Sequence, residues 1–216
     1  MCTNFTPTRN NPWVKANFGV DLPAHDYPVE AYPGFLAPIV VQSHASARIA
    51  SGLARFGLIP AWAQDDKISR HTYNARAETV SEKPSYRSAW RQRRYAIALV
   101  DHFFEPNYVT GKAQRWKLEL ASQEPLPQPF GIASLWDTWI HPTTQERVTS
   151  FTMLTVNADA HPVMQQFHRA GDEKRTPVVL APNQYAQWLS ATTEEAMHMM
   201  HCHAMPALHS QACPKH

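Results

Sequence analysis

Proline sets the first limit on how this chain can fold. There are 18 prolines against 7 glycines in 216 residues, and Pro7, Pro12, Pro23, Pro28, Pro33 and Pro38 crowd the start. Inside a helix, proline removes a backbone donor and its ring clashes with the preceding turn. The spacing therefore predicts irregular wrapping over 7–38. For the whole chain it predicts many short elements joined by rigid turns.

Short apolar runs bounded by turn residues read as strands. They are Ile39–Gln42, Ala54–Ile59, Tyr95–Val100, Phe130–Leu135, Phe151–Val156 and Pro177–Leu180. Helices are expected at Ala75–Ser81, Ser85–Arg93 and Asn183–Leu189. Another is expected within Asp159–Phe167, with Asp159 as N-cap and Pro162 in its first turn. Strands and short helices mix without strict βαβ alternation. That pattern predicts an α+β fold with a mainly antiparallel, barrel-like sheet core and short flanking helices.

The length fits one domain over 1–216. A net charge of +2 excludes polyanion binding by charge excess alone, so a nucleic-acid surface must be a local patch. Arg70, Arg76, Arg87, Arg91, Arg93 and Arg94 form such a cluster, which on charge alone reads first as a solvated basic helix face. No apolar run is long enough to span a bilayer. The start, Met-Cys-Thr-Asn-Phe-Thr, lacks the pattern of a secretory signal. Three cysteines, Cys2, Cys202 and Cys213, are an odd and scattered set, unlike a secreted disulfide framework. These features predict a cytoplasmic protein that keeps its thiols reduced, with a monomer as the default expectation.

Cys2 is the first residue with chemical promise. If Met1 is removed, as it commonly is before a small side chain, the chain begins with a 1,2-aminothiol. Such a pair reacts with an aldehyde twice: the amine forms a Schiff base, then the thiol closes a thiazolidine ring. An α-amine titrates near pH ~8 and a thiol near ~8.5, so both nucleophiles are available near neutrality. Cysteine at position 2 is also simply a small residue. Asn74 and Glu78 share one face if a helix has begun there, and Asn74 equally reads as an N-cap. Arg76 can hold a phosphate in a bidentate pair or form a surface ion pair. Glu105 follows the turn-like Asp101-His102-Phe103-Phe104. Beside two phenylalanines its pKa would rise toward the range of a general acid or base; at an exposed strand end it would not. His168 is one of 12 histidines and can shuttle protons at neutral pH.

At the C-terminus, His198, His201, Cys202, His203, His209, Cys213 and His216 are all possible metal ligands. No Cys-x-x-Cys pair is among them, so no metal is expected, and 198–216 reads as a flexible tail.

Taken in order, these segments resemble the SRAP family, the SOS-response-associated peptidases, over nearly the whole chain. Cys2 matches the family's processed N-terminal cysteine. Phe56-Gly57-Leu58-Ile59-Pro60-Ala61-Trp62 resembles Trp-Gly-Leu-Ile-Pro-x-Trp. Asn74-Ala75-Arg76-Ala77-Glu78-Thr79 reproduces Asn-Ala-Arg-x-Glu-Thr. Ala96–Glu105 resembles the strand that delivers the family's glutamate, and Gly131–Trp136 resembles Ala-Gly-Leu-Trp. Phe151–Asn157, His168 and Thr176–Leu180 resemble the closing Thr-x-x-Ala…His…Pro-Val-Ile-Leu segment.

The resemblance implies a sensor of abasic sites in single-stranded DNA that forms a covalent thiazolidine crosslink through Cys2. Asn74 would orient the α-amine, Glu105 would manage protons, and His168 would help open the sugar to its aldehyde. Trp62 would stack on an exposed base. Arg76, with Arg87, Arg175 and Thr155, would contact DNA. The strand would be kinked at the site, with duplex tolerated on one side. No cofactor is needed, since amine, thiol and aldehyde suffice. The alternatives are a thiol autopeptidase that removes Met1 and a purely non-covalent single-strand DNA binder in which Cys2 is incidental; weak abasic-site lyase activity is an extension of the crosslinking reading.

Three departures stand out. Cys2-Thr3-Asn4 replaces Cys-Gly-Arg, which removes an arginine expected at phosphate. Tyr32-Pro33-Gly34-Phe35 replaces Asn-x-Ala-Pro. Extra residues, Ala170-Gly171-Asp172-Glu173-Lys174, separate His168 from the last strand. Without a gap, Glu173 would fall in the histidine's column; imidazole chemistry favours His168.

Overall fold

A computed structural model of the protein describes residues 2–43, 46–122, 127–201 and 205–214. Met1, Cys202, His203 and His216 of the sequence reading lie outside the described residues.

Alternation along one long strand organises the core. Strand β5 (Tyr95–Asn107) sends Tyr95, Ile97 and Leu99 to one side, and Ala96, Ala98 and Val100 to the other. It pairs antiparallel with β2 (Leu36–Gln42) and β7 (Phe130–Ile140). β2 pairs antiparallel with β3 (Ile49–Phe56), and β7 pairs antiparallel with β8 (Arg147–Asn157). A short parallel contact of Arg55 and Phe56 with Ser150 and Phe151 then joins β3 to β8. The five strands close into a barrel, which removes the open edges a flat sheet would leave. Apolar side chains, among them Ala54, Phe56, Ala98, Ile132, Phe151 and Met153, fill its interior.

The outer face is covered by helices. Val14 and Phe18 of α1 (Asn11–Phe18) and Tyr185, Trp188 and Leu189 of α3 (Tyr185–Ser190) pack on Ile97, Leu99 and Leu180. Trp188 Nε1 donates to Ala96 O at 2.9 Å, so its one polar atom is satisfied while its ring is fully buried. α4 (Thr193–Met199) is opened by a Thr192/Glu195 capping box. Among the described residues no helix is long and apolar enough to cross a membrane.

β5 outruns the barrel at its far end. There it gains β1 (Asn4–Pro7) on one side and β6 (Gln114–Leu120) on the other. The segment 101–104, expected as a turn, is continuous strand because both edges are paired. After the short β9 (Arg175–Pro177) and β10 (Val179–Leu180), which pair with β8 and β7, β11 (Leu208–Ala212) adds to β6. Part of the expected flexible tail is thus a strand, ordered by ladder bonds that sequence patterning does not reveal.

Other local expectations change for identifiable reasons. The region 7–38 does hold a helix, α1. Pro12 sits in its first turn, where no intrahelical N–H is needed, Asn10 caps Trp13 N at 3.0 Å, and Gly19 ends it in the left-handed conformation. Residues 75–81 are not a helix. β4 (Asn74–Arg76) pairs parallel with β8, and a 3-10 turn follows over Ala77–Thr79. Tertiary pairing outweighs local helix propensity there. Within 159–167 only Met164–Gln166 forms a 3-10 turn. Asp159 is no cap; it accepts from Lys174 N at 2.9 Å and from the Asn157 side chain. The expected helices at 85–93 and 183–189 appear as the shorter α2 (Arg87–Arg91) and as α3.

Candidate functional site

The β1–β5 register builds the site. Asn4 lies opposite Phe104 and Phe5 opposite Phe103. The chain start therefore runs out alongside Glu105. Cys2 is fully buried, and its Sγ donates to Asn4 O at 3.4 Å. β4 supplies the next group: Asn74 Nδ2 donates to Cys2 O at 2.7 Å. The Asn74 carbonyl accepts from Tyr86 Oη at 3.1 Å, so both sides of this strand are pinned. Asn74 Oδ1 is buried and has no hydrogen-bond partner among the described residues. An acceptor held there beside the Cys2 backbone can receive an N–H.

Glu105 is 1% exposed. Burial pushes its pKa up to about 7. Burial, then the nearby Glu105 charge, holds the Cys2 thiol well above its usual range. In the resting protein the sulfur is thus a thiol, and a base must take its proton before it can attack.

His168 reaches Glu105 from a different element. Its Nε2 lies 3.5 Å from Glu105 Oε2. The residue has φ +62, the left-handed region, and its N–H donates to Pro106 O at 2.9 Å. Phe167 bridges Asn107, and Asn107 Nδ2 donates to Gln166 O at 3.3 Å. The end of β5 thus hooks the 164–168 segment and holds the strained residue in place. Burial lowers the imidazole pKa to about 4. The structure therefore brings Cys2, Asn74, Glu105 and His168 into one neighbourhood. Glu173 stands elsewhere, on Arg76 and Arg175.

The remaining sequence-derived positions differ in exposure. Trp62 is 54% exposed, and its Nε1 donates to Pro84 O at 3.2 Å, three residues before exposed Arg87 at the start of α2. Arg76 is half exposed at the end of β4. Thr155 is fully buried; its hydroxyl donates to Ala75 O at 3.3 Å and accepts from Arg175 Nε at 3.3 Å. Arg175 is also buried. It donates to Glu78 Oε2 at 2.8 Å, Thr155 O at 2.7 Å and Glu173 Oε1 at 2.6 Å. Thr155 and Arg175 thus brace the strand that carries Asn74 and Arg76. Sequence reasoning missed this brace. Glu78 belongs to the 74–79 motif, but nothing in its spacing points to Arg175, 97 positions away.

Behind the sheet, on the Phe104 face, Arg115 and Tyr32 both donate to Glu30 Oε1, at 2.5 and 2.7 Å, and the Asn4 side chain joins them. Asn4, which replaces an expected arginine, is therefore part of a polar cluster with a cation of its own.

The sequence model of the family described as SOS response associated peptidase (SRAP) matches residues 1–214. The chain is 29% identical over 198 residues to the abasic site processing protein YoqW of Bacillus subtilis, covering 88% of this chain and 80% of that protein. It is 25% identical over 177 residues to the abasic site processing protein HMCES of Xenopus tropicalis, covering 73% of this chain and 50% of that protein. A crystal structure of a Bordetella bronchiseptica protein superposes with a TM-score of 0.86 at 27% identity, covering 99% of this chain and all of that one.

Proposed function

Because the chain belongs to the SOS response associated peptidase family and its relatives are named for abasic site processing, we propose that it captures abasic sites in single-stranded DNA through a thiazolidine at Cys2. The observation that carries this reading is the convergence on one buried chain start: Asn74 on the Cys2 carbonyl, and Glu105 with His168 beside it.

The steps follow from the groups present. Removal of Met1 frees the α-amine of Cys2, whose carbonyl Asn74 Nδ2 already holds, and Asn74 Oδ1, which has no partner among the described residues, is the acceptor offered to it. Accepting one N–H aims the nitrogen lone pair at the aldehyde. His168, neutral at pH 7, takes the sugar O1 proton as the C1–O4′ bond breaks and returns it to O4′, which gives the ring-opened aldehyde. Amine attack gives a carbinolamine, and loss of water gives the Schiff base. Glu105, poised near pH 7, serves both stages: its acid form protonates the departing hydroxyl, and its carboxylate then takes the Cys2 thiol proton. The thiolate adds to the imine carbon and closes the ring. The buried setting strengthens these interactions by excluding water.

Around this centre, Arg76 and Arg87 meet backbone phosphates and Trp62 stacks on an unpaired base. A strand kinked there leaves room for duplex on one side. Removal of Met1 by the same residues is the peptidase activity of this reading, and strand cleavage through the imine is its lyase activity. The protein acts as a monomer in the cytoplasm, close to the DNA it protects.

Intact mass tests the reading. Purified protein is incubated with a single-stranded oligonucleotide carrying one abasic site, then denatured. The expected species is protein lacking Met1 plus DNA minus one water, absent for Cys2→Ser. Protein that lacks Met1 and binds the oligonucleotide but yields no such species would sink the covalent reading.

A further inference from the structure

Glu173 stands between two guanidinium groups. Its Oε2 is 2.8 Å from Arg76 Nη1, and its Oε1 is 2.6 Å from Arg175 Nη1. The two cations differ in freedom. Arg175 is 2% exposed and is held independently by Glu78 and Thr155. Arg76 is about half exposed. Together they form an anion cradle, and the anion in it is a side chain of the same molecule. Hydrogen bonding from Arg175, and then the charges of both arginines, hold the Glu173 carboxyl below its usual range, so it is fully ionised near neutral pH.

A carboxylate and a phosphodiester present guanidinium with the same thing: two anionic oxygens that accept in-plane N–H donors. We propose that Glu173 occupies the phosphate position of this cradle in the free protein, and that DNA engages Arg76 by exchanging a backbone phosphate for the carboxylate. This rests on the reading that the chain binds single-stranded DNA.

The exchange needs little motion. Glu173 is 36% exposed, and its one other bond among the described residues, from Asn157 Nδ2, is 3.5 Å long. The backbone next to it is tied down: Lys174 N donates to Asp159 Oδ1 at 2.9 Å, and Ala158 N donates to Lys174 O at 2.7 Å. Rotation of the side chain therefore suffices, and Arg175 keeps Glu78 and Thr155 when Glu173 leaves. The consequence concerns selectivity. A phosphate gained at Arg76 replaces a charge-assisted bond rather than adding one, so undamaged strands are held weakly. Retention then depends on capture at Cys2, and the Glu173 side chain sets the threshold.

The test uses the full chain and a fluorescein-labelled single-stranded oligonucleotide without an abasic site, so that only reversible binding is read by anisotropy. Glu173→Gln keeps an acceptor for Arg175 but removes the charge, and is expected to bind about threefold to tenfold tighter. Arg76→Ala is expected to bind more weakly, and Glu173→Gln added to it to change affinity by less than about twofold, since the two residues act as one unit. Asp172→Asn, an exposed carboxylate one residue away, reports the general effect of removing a negative charge and is expected to change affinity by less than about twofold. Glu173→Asp, with its charge kept and its reach shortened, is expected to fall between wild type and Glu173→Gln, and serves if the glutamine variant melts early.

Unchanged or weaker binding by both Glu173 variants overturns the proposal. So does an equal gain from Glu173→Gln in the Arg76→Ala background, which would make the effect a general one of charge. Wild-type protein that does not bind the oligonucleotide at all fails differently: it removes the DNA reading itself.

Discussion

His168 Nε2 lies 3.5 Å from Glu105 Oε2, yet the two are not an ion pair at neutral pH. Burial pushes Glu105 up to about 7 and His168 down to about 4. Between those values both groups are uncharged, and above them only the carboxylate carries charge. An acid and a base with pKa values driven apart by one environment are suited to donate and accept protons in turn.

The two shifts have opposite effects on stability. Folded Glu105 keeps a proton that the unfolded chain loses between pH ~4.5 and ~7, so stability falls as pH rises through that window. Folded His168 refuses a proton that the unfolded chain takes up between pH ~6.5 and ~4, so stability falls as pH drops through that window. The slopes largely cancel near pH 5–6. Glu105→Gln removes only the first. Its melting temperature should exceed that of wild type increasingly from pH 5 to pH 8, with the gain levelling off at up to about 3 kcal/mol. In parallel, wild-type crosslinking should depend on pH around 7 and the variant should not. A stability difference that is flat with pH would remove the raised carboxylate pKa from the account.

Cys2→Ala separates the two nucleophiles. After Met1 removal the variant keeps an α-amine beside Asn74 but has no thiol to close the ring. The Schiff base would persist, acidify the neighbouring sugar proton and allow β-elimination. Gel analysis of an abasic oligonucleotide should show slow strand cleavage and no stable adduct. Binding without cleavage, in a sample shown by mass to lack Met1, would argue against an imine intermediate.

The barrel was legible because β2, β5, β7 and β8 carry short, largely apolar runs, whereas the run Ala54–Ile59 overlaps β3 only at its last three residues. Ile39–Gln42, Tyr95–Val100 and Phe151–Val156 each lie inside an observed strand. β1, β6 and β11 were not legible. Gln114–Leu120 mixes charged and apolar residues, and Leu208–Ala212 is mostly polar; both are ordered by ladder partners distant in sequence. Ala75-Arg76 read as the start of a helix because alanine and arginine favour helix locally, whereas the pairing of Asn74–Arg76 with Met153–Thr155 is non-local. In the site, residue types pointed to Cys2, Asn74, Glu105 and His168 one at a time. Their convergence rests on the β1–β5 register and on a left-handed residue at 168, and neither has a signature in the sequence.

Gly57 shows that part of the 56–62 segment serves the fold. Its φ is +111, and a Cβ placed there would lie 2.0 Å from the carbonyl oxygen of Ser69. Because the obstacle is backbone, it cannot rotate away. Gly57→Ala should destabilise the protein by about 3 kcal/mol or more, from the strained φ and the overlap together. Thermal melting checks this. A melting temperature within a degree or so of wild type would mean that the 57 and 69 backbones separate easily.

Asn74 offers a sharper test of orientation than of stability. Its Nδ2 fixes the Cys2 carbonyl at 2.7 Å, while Oδ1 is a buried acceptor without a partner among the described residues. Asn74→Asp keeps an acceptor and loses the donor; Asn74→Ala loses both. Crosslinking rates at saturating DNA should fall in the order wild type, Asp, Ala, with the alanine variant slower by about 100-fold. Affinity for undamaged single strands should be unchanged, because the Asn74 side chain is buried. Equal rates for the alanine variant and wild type would leave the α-amine oriented by something else.

Trp62 provides the complementary case, a residue whose loss should affect binding and spare the chemistry. Its ring is more than half exposed, and one hydrogen bond, Nε1 to Pro84 O at 3.2 Å, orients it. A large indole left in solvent and steered by its polar edge is a surface on which an unpaired base can stack. Stacking of one base is worth about 1–3 kcal/mol. Trp62→Ala should therefore weaken single-strand affinity by roughly 5- to 150-fold. Melting should change little, since the side chain buries little area in the fold. The crosslinking rate at saturating abasic DNA should also hold, because Cys2, Asn74, Glu105 and His168 do not depend on this ring. The discriminating measurement is the pair of constants. Affinity lost with the saturated rate intact places Trp62 on the path of the strand. A saturated rate lost together with affinity would mean that the ring also sets the kink that delivers the lesion to Cys2.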